Sequence, residues 1–314
     1  VSFWQKWRSD LPYLLILFGI LFAIIGTNSP SSKEWLTGWD NLHPEFNFWL
    51  NTKRAFSAVW QEFQGLGLVG GHGYAATLPH TLFLWLASFI IPINALRVSF
   101  TFLMLFIGTI GIYFLTKTLL SQITHHTSKN YEYIELSSLV AALYAMLNLG
   151  TMQNFIIQLE AFIIHFGFLP WLLLTLWHFL NIPSKKTFFW FCLVNIAIIP
   201  AGFIPPLFVV QSFLVGLFLF IHVVQHKNAI AIKTAIITIM AMICVNAFWL
   251  LPVAYYTIKN SNSYLQAYNN LQSTPDFILR NQKYGTFPDV ALIKGFLFEA
   301  NDVDSNGNTI PLLT

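Results

Sequence analysis

The chain has 314 residues, of which 56% are hydrophobic and 17% aromatic, while only 9% carry a charge and the formal net charge is +3. Soluble domains carry roughly 25% charged residues, and a water-soluble fold of this length could not hide so many apolar side chains, so the composition places the chain in a bilayer. Its cations are scattered through short loops without a basic run, which argues against nucleic acid as a partner.

The first apolar run, 11–27, follows Lys6 and Arg8 and has no small-x-small cleavage site behind it. It reads as a retained signal anchor. The stretch "TGWDNLHPEFNFW", 37–49, then sets Asp40, His43 and Glu45 within six positions among aromatic residues. A carboxylate held at the membrane surface is a candidate general base, and Asp40, which precedes any helix, fits that role better than the alternative of a turn residue. Glu45 follows Pro44 and is either a second base candidate or the acid that opens a helix against its dipole. His43 stands beside them as a candidate substrate contact. From 45 to 63, Phe46, Trp49, Leu50, Phe56, Val59, Trp60 and Phe63 recur at three- and four-residue spacing, predicting an amphipathic helix lying on the membrane.

"GLGLVGGHGYAATLPHTLFLW" follows, with five glycines, no GxxxxGK[ST] signature and no preceding strand. Its glycines fit a sharp turn or a close backbone approach rather than a nucleotide loop. His72 and His80 are candidate contacts to a phosphate or sugar, packing being their plainer role. Arg97 opens the next span and either snorkels to the headgroups or pairs with a phosphate. Further runs cover 98–116, 136–149, 156–180, 188–200, 203–224 and 229–256. Glu160 is an acid inside one of them, and an ionisable group at that depth is a functional candidate; its rival role is a hydrogen bond to Gln158, Asn154 or Asn148. Cys192 and Cys244 lie in apolar spans and read as packing residues.

The tail from 258 onward turns polar and reads as the start of an extracytoplasmic domain. Val1 in place of methionine and an ending in mid-loop composition suit a piece of a longer chain. Asp302, Asp304 and Asn306, followed by Gly307, match the opening of a calcium loop, but Leu313 stands where its closing acid belongs. An Asn-Gly hairpin is the preferred reading, and a structural calcium the lesser one.

If the run 75–93 crosses, the lysine-bearing loops that follow face outward, against the positive-inside rule. Pro79 and Pro92 interrupt it, as in re-entrant or interfacial segments. Seven crossings then remain, loops 117–135, 181–187 and 225–228 lie inside, and 28–97 forms one outer loop. The expected fold is all-α and integral to the membrane: residues 1–258 form the transmembrane core and 259–314 the outer tail.

An anchor, an acid soon after it in the outer loop, an interfacial helix, the segments "LPHTLFLWLASF" and "ALRVSFTF", and "NAFWLLPVAYY" at the last span together resemble the GT-C class of membrane glycosyltransferases. The arabinofuranosyltransferase-like and YfhO-like branches are the most similar, and the resemblance covers nearly all of 1–258. It implies a GT-C helical bundle, a polyprenyl-phosphate-sugar donor, inversion at the anomeric carbon and transfer on the outer face. Carried over, the base is Asp40, with Glu45 the fallback. The second outer-loop acid of many relatives has no counterpart in "GTMQNF", 150–155, which leaves Glu160 for that place and puts metal assistance in doubt.

The leading expectation is therefore a transferase that moves a sugar from a lipid-linked donor to a cell-envelope glycan or surface protein, in a bacterial or archaeal cytoplasmic membrane. His43, His72, His80, Arg97 and Glu160 are its substrate-binding candidates, and it requires no cofactor. Its alternatives are a transporter or flippase of a lipid-linked substrate, with Glu160 as the coupling residue, and an inactive scaffold of the same fold.

Overall fold

The computed structural model describes residues 3–28, 35–36, 43–57, 60–61, 68–69, 73–123, 128–266, 275, 278–279, 282–294, 301–303 and 309–311. Helix α1 spans Phe3–Asn28 and α2 Phe48–Phe56; α3 spans Leu78–Ala87, α4 Ile93–Ile123, α5 Ser128–Leu147 and α6 Leu149–Ile156. Then come α7, Glu160–Asn181, α8, Lys185–Ile198, α9, Pro205–His226, α10, Ala229–Gln266, and the short α11, Phe287–Ala291. Three 3-10 turns, Pro44–Phe46, Tyr74–Thr77 and Ile199–Phe203, lie between them. In hydrocarbon every backbone polar group must be satisfied within its own segment, so long apolar runs become helices. Among the described residues six helices are long and apolar enough to cross a membrane, and α5 with α6 makes a seventh if that pair, bent by 48°, is one span.

The run 75–93 forms no helix long enough to cross: α3 has 10 residues. Pro79 occupies the first turn of α3, which ends at Ala87, and the chain turns before Pro92 into α4. The amphipathic segment is shorter than its periodicity predicts. Helix α2 begins at Phe48, where the Asn47 side chain accepts from the Leu50 amide, and stops at Ser57, whose hydroxyl donates to the Lys53 carbonyl. Trp60–Gln61 (β1) then pairs antiparallel with Leu68–Val69 (β2). Helix α10 continues past 258 to Gln266. At the far end Asn301–Val303 (β3) pairs antiparallel with Thr309–Pro311 (β4); the expected Asn306-Gly307 turn lies outside the described residues.

Helix α4 is the spine of the bundle. Its Gly108 and Gly111 let α7 approach so closely that a Cβ at either would meet Phe166 or Trp171 at 2.4 and 2.7 Å, and Trp171 Nε1 donates to the Ile107 carbonyl at 2.8 Å. Arg97 and Lys117, twenty positions apart on α4, stand about 30 Å apart along its axis. That separation matches the thickness of a hydrocarbon core, about 30 Å. Each cation is held by two carboxylates from other segments. At the Lys117 end, Lys117 donates to Asp10 of α1 and, at 3.0 Å, to Glu135 of α5, while Tyr113 donates to Asp10 at 2.7 Å.

Candidate functional site

The opposite end of α4 carries the other cluster. Arg97 donates from Nε to Glu45 Oε1 at 2.7 Å and from Nη2 to Glu45 Oε2 at 3.0 Å, a two-point contact. Its Nη1 donates to Glu160 Oε1 at 2.8 Å. His43 Nδ1 lies 3.5 Å from Glu45 and His80 Nε2 lies 3.6 Å from Glu160. Four elements supply these groups: the Pro44–Phe46 turn with its N-cap His43, α3 with His80, the start of α4 with Arg97, and the first residue of α7. The local sequence sets each in place. Pro44 opens the 3-10 turn that aims Glu45 inward, and a left-handed turn at Gln158 ends α6 so that α7 begins at Glu160.

Arg97 is 3% exposed, which overturns its reading as a snorkelling residue. With all three guanidinium nitrogens on carboxylates, it also has little left to offer a phosphate. Glu45 does not open α2, because the N-cap of that helix is Asn47. Burial would raise the Glu45 carboxyl, but the Arg97 guanidinium outweighs it through its hydrogen bonds and its charge, holding the group below its ordinary value. Held by Arg97 at two points where Glu160 is held at one, Glu45 is the weaker base of the two. For His80 the main cause is again burial, which pushes the imidazole well below its usual range, with Arg97 acting in the same direction; the ring is neutral and packs against Phe100 with 4.6 Å between centroids.

Counting the described members, one guanidinium faces two carboxylates and two histidines. Of the two acids, Glu160 is the one that opens onto space. A small recess is lined by Pro44, Thr77, His80, Thr81 and Glu160 together with the apolar Ala161, Ile164, Pro200 and Phe203. A second is lined by Pro44, Asn51, Arg54, Ala55, Tyr74, Thr77 and Thr81. Pro44, Thr77 and Thr81 are common to both, so the two recesses adjoin as one largely apolar groove, with Glu160 lining the first and Arg54 the second. Its wall is fixed by backbone contact: a Cβ on Gly73 would stand 2.1 Å from the Gly202 carbonyl oxygen, and one on Gly202 would stand 2.6 Å from the Trp249 ring. Trp249 in turn donates to Asn246 at 2.8 Å.

The structure thus gathers Glu45, His80, Arg97, Glu160 and, at the edge, His43 into one site. Asp40 and His72 lie outside the described residues, as do Asp304 and Asn306; Asp302 falls in β3. The described residues contain no group of three or more His, Cys, Asp or Glu side chains able to hold a metal ion. Sequence reasoning missed Arg54 and Asn51 as groove residues, although Arg54 stands on the polar side of the amphipathic pattern. It also missed the Asp10, Tyr113, Lys117 and Glu135 cluster, whose one signal is charge placed within the ends of apolar runs. Comparison with family models, curated proteins and solved structures finds no match to this chain.

Proposed function

We propose that this chain is the catalytic core of a membrane glycosyltransferase of the GT-C kind, which moves a sugar from a polyprenyl-phosphate carrier to a glycan or surface-protein hydroxyl on the outer face of the membrane. The observation that carries the proposal is Glu160: a buried carboxylate at the end of a helical bundle, sharing its guanidinium with a second acid and lining a recess. Lys117 lies toward the far end of α4, Lys185 and Lys186 open α8 and Lys227 separates α9 from α10, all at the ends of the spans away from Arg97 and Glu160, which supports an outward-facing groove.

In this proposal Glu160 takes the proton from the acceptor hydroxyl, whose oxygen attacks the anomeric carbon from the face opposite the lipid phosphate. The C–O bond to the phosphate breaks, and the phosphate leaves with the electron pair. Arg54, which lines the second recess, faces the phosphate across the groove. Glu45 acts through Arg97, which it holds against Glu160. The carrier phosphate is itself a leaving group, so positioned side chains suffice and no cofactor is required. Asp40, the acid that the resemblance singles out, is the competing base. One observation favours a second reading as a carrier of a lipid-linked substrate: a cluster with one more acid than cation has a use for a proton, and Glu160 would then be the coupling group.

The test is transfer from a panel of radiolabelled polyprenyl-phosphate sugars by the full chain, beside Glu160→Gln, Asp40→Asn and Arg54→Gln at matched expression. Loss of turnover by roughly 100-fold or more is expected for Glu160→Gln, with a rise in KM as the main effect of Arg54→Gln. Full activity of Glu160→Gln with loss in Asp40→Asn would return the base to the first loop. No turnover of any donor, together with Glu160-dependent lipid movement in proteoliposomes, would establish the carrier.

A further inference from the structure

The break between α5 and α6 leaves backbone groups of a broken span to be satisfied, and a distant part of the chain satisfies them. The Leu149 amide, at the first position of α6 where a helix has no internal acceptor, donates to the Leu292 carbonyl at 3.0 Å. The Tyr144 hydroxyl donates to the Ala291 carbonyl at 2.6 Å. Gly150 faces Ile293, and a Cβ at Gly150 would meet Ile293 Cγ2 at 2.7 Å.

Backbone strain is concentrated around the same short helix. Among the described residues three non-glycine positions have positive φ, and two of them bracket α6: Ile293, at φ 54°, lies against its start, and Gln158, at φ 55°, terminates it. A β-branched residue in the left-handed region is a genuine outlier and persists only where its surroundings over-determine it. The Leu159 amide donates to the Asn154 carbonyl at 3.1 Å, the six-to-one bond of a Schellman turn. Glycine is usual at its left-handed position, where this chain has Gln158. Glu160 is the second residue after that turn. Helix α6 is therefore a short lever, held at one end by residues 291–293 and joined at the other, through the Gln158 turn, to Glu160 at the start of α7.

We infer that the segment 286–294 is a strap that seals the break between α5 and α6 and, through α6, sets the position of Glu160. The state of the tail beyond α10 is thereby coupled to the groove whether the groove transfers sugars or moves lipids. Ile293 is a positioning residue in this device, and its half-exposed side chain allows substitution without opening the bundle.

The test uses the full chain in lipid nanodiscs and reads two quantities, neither of them turnover: hydrogen exchange of the peptide 145–158, and the rate at which dicyclohexylcarbodiimide labels Glu160. Gly150→Ala pushes on the strap from the bundle, and Ile293→Asp loosens it from the tail. Both are expected to speed exchange by about tenfold or more, as local opening becomes easier, and to change Glu160 labelling severalfold. The double variant Gly150→Ala/Ile293→Gly removes the clash and the strain together, and is expected to restore both rates. Exchange unchanged in the single variants would refute the strap. Faster exchange with constant Glu160 labelling would refute its coupling to the site, and failure of the double variant to recover would refute the Gly150–Ile293 contact as its seat.

Discussion

Replacing Arg97 by Met removes the cation that Glu45 and Glu160 share. Unit charges about 4 Å apart interact by about 4 kcal/mol at an effective dielectric of about 20, and Arg97 makes two such contacts, at 2.7 and 2.8 Å. Much of that is offset by the cost of desolvating all three groups. Breaking a buried pair from one side costs about 3–5 kcal/mol, because the abandoned charge stays buried, and here two are abandoned. Glu45→Gln is milder, since Arg97 and Glu160 remain as a balanced pair; about 1–2 kcal/mol is expected from the lost charge-assisted bonds. The double variant Arg97→Met/Glu45→Gln leaves one buried carboxylate rather than two, so its destabilisation should fall short of the sum by about 2 kcal/mol. Reversible unfolding in mixed micelles, driven by rising sodium dodecyl sulfate and followed by tryptophan fluorescence, measures all four corners of this cycle. Additivity to within about 0.5 kcal/mol would refute the shared-cation arrangement.

The same cluster sets an acid limit on stability. The folded Glu45 carboxyl lies below its ordinary value of 4.5, so its contribution is complete above that pH and disappears as the pH falls through the lower, folded value. Wild type is expected to lose stability on acidification below about pH 4.5 more steeply than Glu45→Gln, as read from unfolding midpoints; identical acid limbs in the two proteins would refute the assignment. Gly73→Ala tests the groove wall: its Cβ would stand 2.1 Å from a backbone oxygen, which no side-chain rotation relieves. A loss of at least about 2 kcal/mol is expected, and an unchanged melting temperature would show that the Tyr74–Thr77 and Ile199–Phe203 turns do not touch as described.

The spans were legible in the sequence because a bilayer leaves an apolar run of sufficient length almost no choice but a helix. The interrupted run 75–93 was legible from Pro79, which suits the first turn of a helix, and Pro92, which follows the turn after α3; proline alone does not decide it, since Pro170 and Pro252 lie inside α7 and α10. The end of the amphipathic segment was not. Its aromatic spacing continues through Trp60 and Phe63, yet Trp60 pairs with Val69 in a strand, because a partner arriving from elsewhere in the chain can override a local period. The candidate site was legible only as a set of separate suspects. Glu45, Arg97 and Glu160 could each be singled out as charges where charge is costly, but they are 52 and 63 positions apart. No local pattern says that the first two spend themselves on each other.

The two ends of α4 show what such clusters do for a chain with few charges. Arg97 holds acids from the Pro44–Phe46 turn and α7; Lys117 holds acids from α1 and α5. Apolar side chains alone allow helices in lipid to slide and rotate at little cost, since one aliphatic contact resembles another. A buried cation with two acids tolerates no such slip, because a shift of one turn, about 5.4 Å, would strand three charges at the edge of the hydrocarbon. Fixing α4 at both ends therefore fixes the depth and register of α1, α5 and α7 together. The Lys117 cluster has no lining residue in either groove recess and is explained by that role alone. The Arg97 cluster shares it, but one of its acids, Glu160, also faces the groove, and register does not require that. The asymmetry between the two ends is the physical ground for choosing Glu160 as the first residue to test.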